Sequence, residues 1–184
     1  MVDLEKIFIP NGTIELEAEI LRRTQEKVQE SPSLPAVLIC HPHPQFGGSM
    51  YNNVVSSVFN TCREEDIPCL RFNFRAVGHS GGSHGSGEEE RTDVKACVNH
   101  LINKEGHDEV LIAGYSYGAA IGCSVIDYSD SIIGYVAISF PFDFMGSFYK
   151  ENARSKKPKL FIQGTRDTIA VYDKFEEHYA YYEE

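Results

Sequence analysis

The stretch EVLIAGYSYGAAIG, residues 109–122, decides the fold. EVLIAGY is a short continuous apolar run of the kind that forms a strand buried on both faces, and GAAIG suits the start of a closely packed helix. Ser116 falls at the bend between them. With Gly114 and Gly118 two residues to either side, it has the G-x-S-x-G layout of a nucleophile elbow, where larger flanking side chains would collide with the tight turn. A second match, Gly78 to Gly82 around Ser80, has no helix directly behind it. That match reads as an accident of a glycine-rich loop.

Similar apolar runs recur on both sides: AVLIC (36–40), CLRFNF (69–74), IIGYVAISF (132–140) and KLFIQG (159–164). Each fits a strand buried on both faces. Between them, Val54, Val55, Val58, Phe59 and Cys62 form one helical stripe. Val94, Cys97, Val98, Leu101 and Ile102 form another, behind the acidic turn Glu88-Glu89-Glu90 that suits a helix N-terminus. Near the start, Asn11-Gly12 separates LEKIFI from TIELEAEI, in which Ile14, Leu16, Ala18 and Ile20 alternate with Glu15, Glu17 and Glu19. This predicts an antiparallel hairpin with one wet side, followed by a polar bend at QEKVQESPSLP. Strand and helix then alternate, so the chain is expected to be α/β. It should form one domain over residues 1–184, a doubly wound, mostly parallel sheet led by an N-terminal antiparallel hairpin.

The 184 residues are 42% hydrophobic and 11% aromatic, ordinary for a globular chain with a real core. A formal net charge of −10 repels phosphates and anionic lipid, which excludes nucleic acid and membrane surfaces as expected partners and leaves a small molecule. The five cysteines, Cys40, Cys62, Cys69, Cys97 and Cys123, are scattered without a C-x-x-C pair, so they read as reduced thiols of a cytoplasmic protein. No basic, apolar leader opens the chain, and no run is long enough to span a membrane.

In an open parallel sheet, ligands bind beyond the carboxyl ends of the strands, here the loops HPHPQFGGSM, RAVGHSGGSHGSG, GYSYG and GTRD. The ordered set AVLICHPHPQFGGSMYNN, RFNFRAVGHSGGS, GYSYGAAIG and FIQGTRD resembles the α/β-hydrolase superfamily, and within it the small, cap-poor hydrolases with an HPHPxxGG loop. The resemblance implies a serine hydrolase acting on an ester, thioester or related acyl bond, with no cofactor. Ser116 is then the nucleophile. An oxyanion hole needs two backbone N–H groups, one from Tyr117 behind the nucleophile and one from the loop after the first parallel strand. Pro42 and Pro44 have no N–H, which leaves His43, Gln45 and Phe46, and Gln45 is the expected donor. Asp167 follows KLFIQG and Ser116 in the order the fold uses, and is the expected acid. It could also cap the helix beginning near Ile169. Asp143 is held in reserve, and Arg75 reads as a loop organiser. The segment from residue 141 to 158 is too short for a cap domain, so the pocket should be open.

The base is the gap. Triad order calls for a histidine after Asp167, but residues 168–184 carry one helical pattern, with Val171, Phe175, Tyr179 and Tyr182 as its stripe. The sole histidine there, His178, should point along the outside of the sheet. His41, His43, His79 and His84 lie on loops at the correct end and are alternatives, whereas His100 and His107 do not. A metal site on Cys40 and these four histidines is weakly motivated, and none is expected. The expectation is therefore a C-terminally incomplete hydrolase lacking the last strand and the histidine loop. It would be nearly inert for want of the base, with the KLFIQG edge exposed to self-association. A non-catalytic binding or scaffold relative is the alternative. Nucleotide binding through GGSHGSG is disfavoured by the acidic residues that follow it.

Overall fold

The structure, a computed structural model, describes residues 3–23, 34–142, 145–179 and 182. Most of the polar bend (24–33) and Asp143 lie outside the described residues. Strands β1 (Asp3–Asn11) and β2 (Ile14–Arg22) form the expected hairpin about Gly12, whose φ of 62° is a conformation glycine adopts without steric cost. Parallel strands follow: β3 (Ala36–Cys40), β4 (Cys69–Phe72), β5 (Val110–Tyr115), β6 (Ile132–Ile138) and β7 (Lys159–Ile162). They make one seven-stranded sheet in the order β1-β2-β4-β3-β5-β6-β7, with β2 joined antiparallel to β4. Strand order reverses between β3 and its two neighbours, β4 and β5, which opens a crevice at their carboxyl ends.

Helices cover both faces. On one side, α1 (Asn53–Glu64) lays Val55, Phe59 and Cys62 over Val37, Ile39 and Ala113. On the other, α2 (Glu88–Asn103), α3 (Tyr117–Cys123) and α4 (Ser147–Asn152) pack on the larger core, with Val94, Cys97, Val98 and Leu101 of α2 buried as its stripe requires. Burying each such side chain contributes about 1.5–3 kcal/mol, so the sheet is held mainly by these layers. Helix α5 (Tyr172–Tyr179) closes the described chain. Of its expected stripe, Phe175 and the following Tyr182 meet the core, whereas Val171 and Tyr179 stay exposed.

Two sequence expectations fail for one reason each. The glutamate side of the hairpin is wet only at Glu15: Glu17 and Glu19 are buried, because β2 is an inner strand whose second face is covered by loops. Glu19 takes the Arg71 guanidinium at 2.6 Å and the Tyr51 hydroxyl at 2.9 Å, and Arg71 itself lies over the Phe59 ring at 4.1 Å. KLFIQG is not buried on both faces either. Leu160 and Ile162 pair in register with Val136 and Ile138, on the side where α1 lies, but α1 reaches only the middle of the sheet. At the outer strand those two side chains remain 54% and 47% exposed.

Removing one partner of a buried pair leaves the other charge unpaired. Arg71→Met is expected to lower the unfolding free energy by about 3 kcal/mol in urea denaturation, and adding Glu19→Gln to recover a substantial part of it.

Candidate active site

The elbow is built by close backbone approach. Between β5 and α3, Ser116 sits at φ 53° and ψ −116°, a positive-φ conformation that costs a non-glycine residue of order 1–3 kcal/mol. Its backbone is fixed on both sides: the N–H donates to the Ile138 carbonyl at 2.9 Å, and its carbonyl accepts from Ala119 at 2.9 Å and Ala120 at 3.2 Å. A β-carbon on Gly114 would strike the backbone of Gly118 and Ala119, and one on Gly118 would strike the carbonyls of Cys40 and His41. The two glycines therefore let β5, α3 and the end of β3 meet. As the first residue of α3, Tyr117 has an N–H with no acceptor inside the helix.

Ser116 and Tyr117 line a cavity of about 230 Å³. Its other walls are His43 and Phe46 from the loop after β3, Pro141 and Met145 from the segment after β6, and Ile169 from the segment after β7. Four strand ends thus converge on it, and the walls are mostly apolar.

The HPHP loop is organised differently from the sequence expectation. His43 caps a short 3-10 turn, Pro44–Phe46, by accepting the Gln45 N–H on its Nδ1 at 3.2 Å. Gln45 is exposed, does not line the cavity, and spends its amide on that cap. The Phe46 N–H donates to the His43 carbonyl at 3.1 Å. Of the three amides the prolines leave, only the His43 N–H has no acceptor among the described residues. The sequence reading missed this because it counted N–H groups without asking which the loop's own side chains would consume.

The remaining expected residues fall into place one by one. Asp167 Oδ1 accepts the N–H groups of Ile169 and Ala170, each at 2.9 Å, so its carboxylate organises the turn that carries Ile169 to the cavity without lining it. This is the capping role weighed from sequence, although α5 itself begins later, at Tyr172. His178 packs on Phe142, ring centroids 5.4 Å apart, and its Nδ1 lies 3.2 Å from Lys150 Nζ, away from the cavity wall. His41 is fully buried: Nε2 accepts the Phe74 N–H at 3.0 Å and Nδ1 donates to the Pro42 carbonyl at 2.6 Å. Burial pushes its pKa down to about 4, so it is a neutral strut between the ends of β3 and β4. His79 is exposed and bonded to Glu17. Ser80 is buried, its hydroxyl donating to the Asn73 carbonyl at 2.7 Å and accepting the Glu17 N–H at 2.9 Å. Arg75 grips the buried Asp93, 2.7 Å from Nη2 to Oδ1, and organises its loop as read from sequence.

Two groups beside the cavity have surroundings that the sequence reading did not anticipate. His84 Nδ1 lies 3.0 Å from Oε1 of Glu90, a carboxylate with no exposed surface, and the His84 ring stands 5.2 Å from that of His43. Glu90 was read as part of the acidic turn that opens the helix. Its place three residues behind Gly87, at the third position of α2, was the available signal, since a glutamate there reaches back to the cap amide. It does so at 2.9 Å.

Among the described residues, no group of three or more His, Cys, Asp or Glu side chains is disposed to hold a metal, and no helix is long and apolar enough to cross a membrane.

Known proteins resemble this chain in sequence and in fold. The chain is 32% identical over 145 residues to Uncharacterized protein RP471 of Rickettsia prowazekii (strain Madrid E), a match covering 78% of this chain and 61% of that protein. The chain thus spans less than two thirds of the length of this curated relative. An alpha-beta serine hydrolase homologue from Coxiella burnetii superposes with a TM-score of 0.83 at 26% identity, over 98% of this chain and 83% of that one. XC6422 from Xanthomonas campestris, described as an a/b serine hydrolase without lid, superposes with a TM-score of 0.79 at 27% identity, over 95% and 79%. Residues 35–182 match the family described as Alpha/beta hydrolase domain. With that stretch taking in the elbow, the HPHP loop and five of the seven strands, the chain belongs to the alpha/beta hydrolase family.

Proposed function

We propose that this chain carries the site of a serine hydrolase that cleaves an ester, thioester or related acyl bond through an acyl-enzyme on Ser116. The observation that carries the reading is the strained Ser116 backbone at the floor of an apolar cavity, between Tyr117 and the HPHP loop. A serine is held at positive φ at a cost, and exposing its hydroxyl to a pocket is what that cost secures.

In the proposed reaction the hydroxyl attacks the acyl carbon, and negative charge develops on the carbonyl oxygen. Two amides receive it, those of Tyr117 and His43. His43 replaces Gln45 because its N–H is the unconsumed one. Phe46, Pro141, Met145 and Ile169 favour an uncharged, apolar acyl group, and the absence of a charged wall fits a small molecule better than an anion. Asp167 is retained as the orienting acid of a triad, its second oxygen left over from the turn it caps. The lid-free shape described for the Xanthomonas protein supports a cap-poor, open pocket here. Five free, buried thiols suit the reducing conditions of the cytoplasm.

Among the described residues, Ser116 has no histidine within hydrogen-bond distance of its hydroxyl, so turnover by this chain rests on the oxyanion hole and binding. Such residual catalysis amounts to ~10³–10⁴-fold over water. That same observation favours the second reading, a module that binds an acyl compound without turning it over. We also propose that the outer edge of β7, beside the exposed Leu160 and Ile162, pairs with a second copy.

Three outcomes test these proposals. A fluorophosphonate should label the chain slowly, and Ser116→Ala should abolish the adduct seen by intact-mass measurement. Absence of any adduct, together with calorimetric binding of a short-chain ester, would favour the binding module. His43→Pro, if folded by circular dichroism, should slow labelling by ~10²-fold while Gln45→Pro affects it far less. For the edge, size-exclusion with light scattering should show concentration-dependent association that Leu160→Lys abolishes. A monomer at every concentration would remove that proposal.

A further inference from the structure

The Ser116 cavity does not end at its own walls. Two of them, Pro141 and Ile169, are shared with a second cavity of about 280 Å³, lined further by Phe140, Phe142, Ala170, Val171 and Lys174. The two spaces thus adjoin across one apolar ridge.

Both flanks of the second cavity are fixed by hydrogen bonds. On one, Ser139 turns the chain at φ 50° as β6 ends, its N–H donating to the Ile162 carbonyl at 2.8 Å, and residues 140–142 follow. On the other, Asp167 Oδ1 accepts the N–H groups of Ile169 and Ala170, and Gln163 Nε2 donates to the Ala170 carbonyl. A turn tied this firmly has no need of apolar side chains on its outer face. It carries Ile169, 63% exposed, and Val171, also exposed, and the first cavity adds Phe46, 76% exposed. Single exposed apolar residues are ordinary, but a set of them along adjoining cavities marks a ligand surface. Lys174 is the one charged wall among the described residues, and its ammonium meets Glu177 Oε2 at 2.5 Å, so the groove calls for no anion.

We propose that the second cavity receives the apolar chain of the substrate, so that the acyl group cleaved at Ser116 is an unbranched chain long enough to cross the Pro141–Ile169 ridge. The direction of the chain rests on Ser116 being the acylated residue. An acyl group stays on the serine through both halves of such a reaction, whereas the alcohol or thiol departs after the first, so a groove adjoining the serine serves the acyl side. Ile169 and Val171 become specificity residues: Ile169 forms the ridge, and Val171 lines only the second cavity. A short acyl group fills the first cavity and leaves the second wet. Each methylene placed past the ridge covers apolar surface and tightens binding by up to about 4-fold.

Binding and chemistry are tested apart. For binding, Ser116→Ala in the 184-residue chain is titrated calorimetrically with neutral methyl ketones bearing butyl, hexyl and octyl chains, which present a carbonyl without a cleavable bond. Affinity should rise by about 10-fold or more from butyl to octyl. Adding Val171→Asp should flatten that rise, because methylene groups do not cover a carboxylate without cost. Position 171 is exposed and lies just ahead of α5, where aspartate suits a helix start, and Val171→Ser is the smaller change should circular dichroism show the aspartate chain unfolded. Leu4→Asp, at an exposed apolar position on β1 outside both cavities, should keep the full rise. Equal affinities for the three ketones, no binding of the octyl ketone, or a rise that survives at Val171 or is lost at Leu4 overturns the proposal. For chemistry, butyl and octyl fluorophosphonates are compared on the chain with Ser116 intact, where labelling forms the Oγ–P bond, releases fluoride and passes the serine proton to water. The octyl probe should label faster, and Val171→Asp should shrink its advantage. Equal rates count against the groove. A chain labelled by neither probe counts against Ser116 as nucleophile alone, because the ketone titrations decide the groove without it.

Discussion

The structure depends on the contact of the Gly118 α-carbon with the backbone carbonyls of Cys40 and His41. Because nothing larger than hydrogen separates them, α3 can start directly beneath the end of β3, and Ser116 is brought level with the loop that leaves that strand. Beside that contact Ser116 takes its positive φ, and its N–H is anchored across the sheet to Ile138 on β6. Three strands are thus locked at one height. Without that lock the HPHP loop would have no fixed relation to the serine, and the cavity between them would not exist.

Much of this was legible in the sequence because local and long-range demands agree there. GYSYG is strand, bend and helix by its own composition, and its glycines are also those the packing requires. The apolar runs 36–40, 69–74 and 109–115 lie in the middle of the sheet, where continuous burial is the rule. Legibility ended where a residue's role is set by distant partners. Glu17 and Glu19 look like the wet side of a hairpin until β4 is laid beside them, bringing Arg71, Asn73 and His79 from far along the chain. Leu160 looks buried until the helix over the middle of the sheet proves not to reach its strand. Gln45 was the plausible oxyanion donor only while the His43 side chain was left out of the loop's hydrogen-bond count, a local competition that sequence does contain but composition does not weigh.

The acidic composition, read at first as a statement about partners, also has an internal use. Burial would raise the Glu17 pKa, but the His79 amide, the Asn73 side chain and the His79 ring outweigh it and leave the value lowered, so the carboxylate stays charged while it pins the loop after β4. For Asp93 the balance runs the other way: burial dominates and the pKa is raised despite Arg75. Glu90 holds the amides at the start of α2. Each of these anions fastens one loop at the carboxyl end of the sheet, where backbone N–H groups leave the strands without partners.

Loops fastened by carboxylates and imidazoles, in place of apolar packing, owe their shape to directional hydrogen bonds. The apolar layers under the sheet are held by burial, which has no preferred direction. What separates the two is the depth of the anchor. His41, sealed between the ends of β3 and β4 and pushed down to about 4, belongs with the frame. His43, two residues further along the same loop and half-buried at the cavity, belongs with the loop's tip. The alternation of histidine and proline in HPHP therefore does two jobs: the first histidine ties the loop to the sheet, and the second caps the turn at its tip.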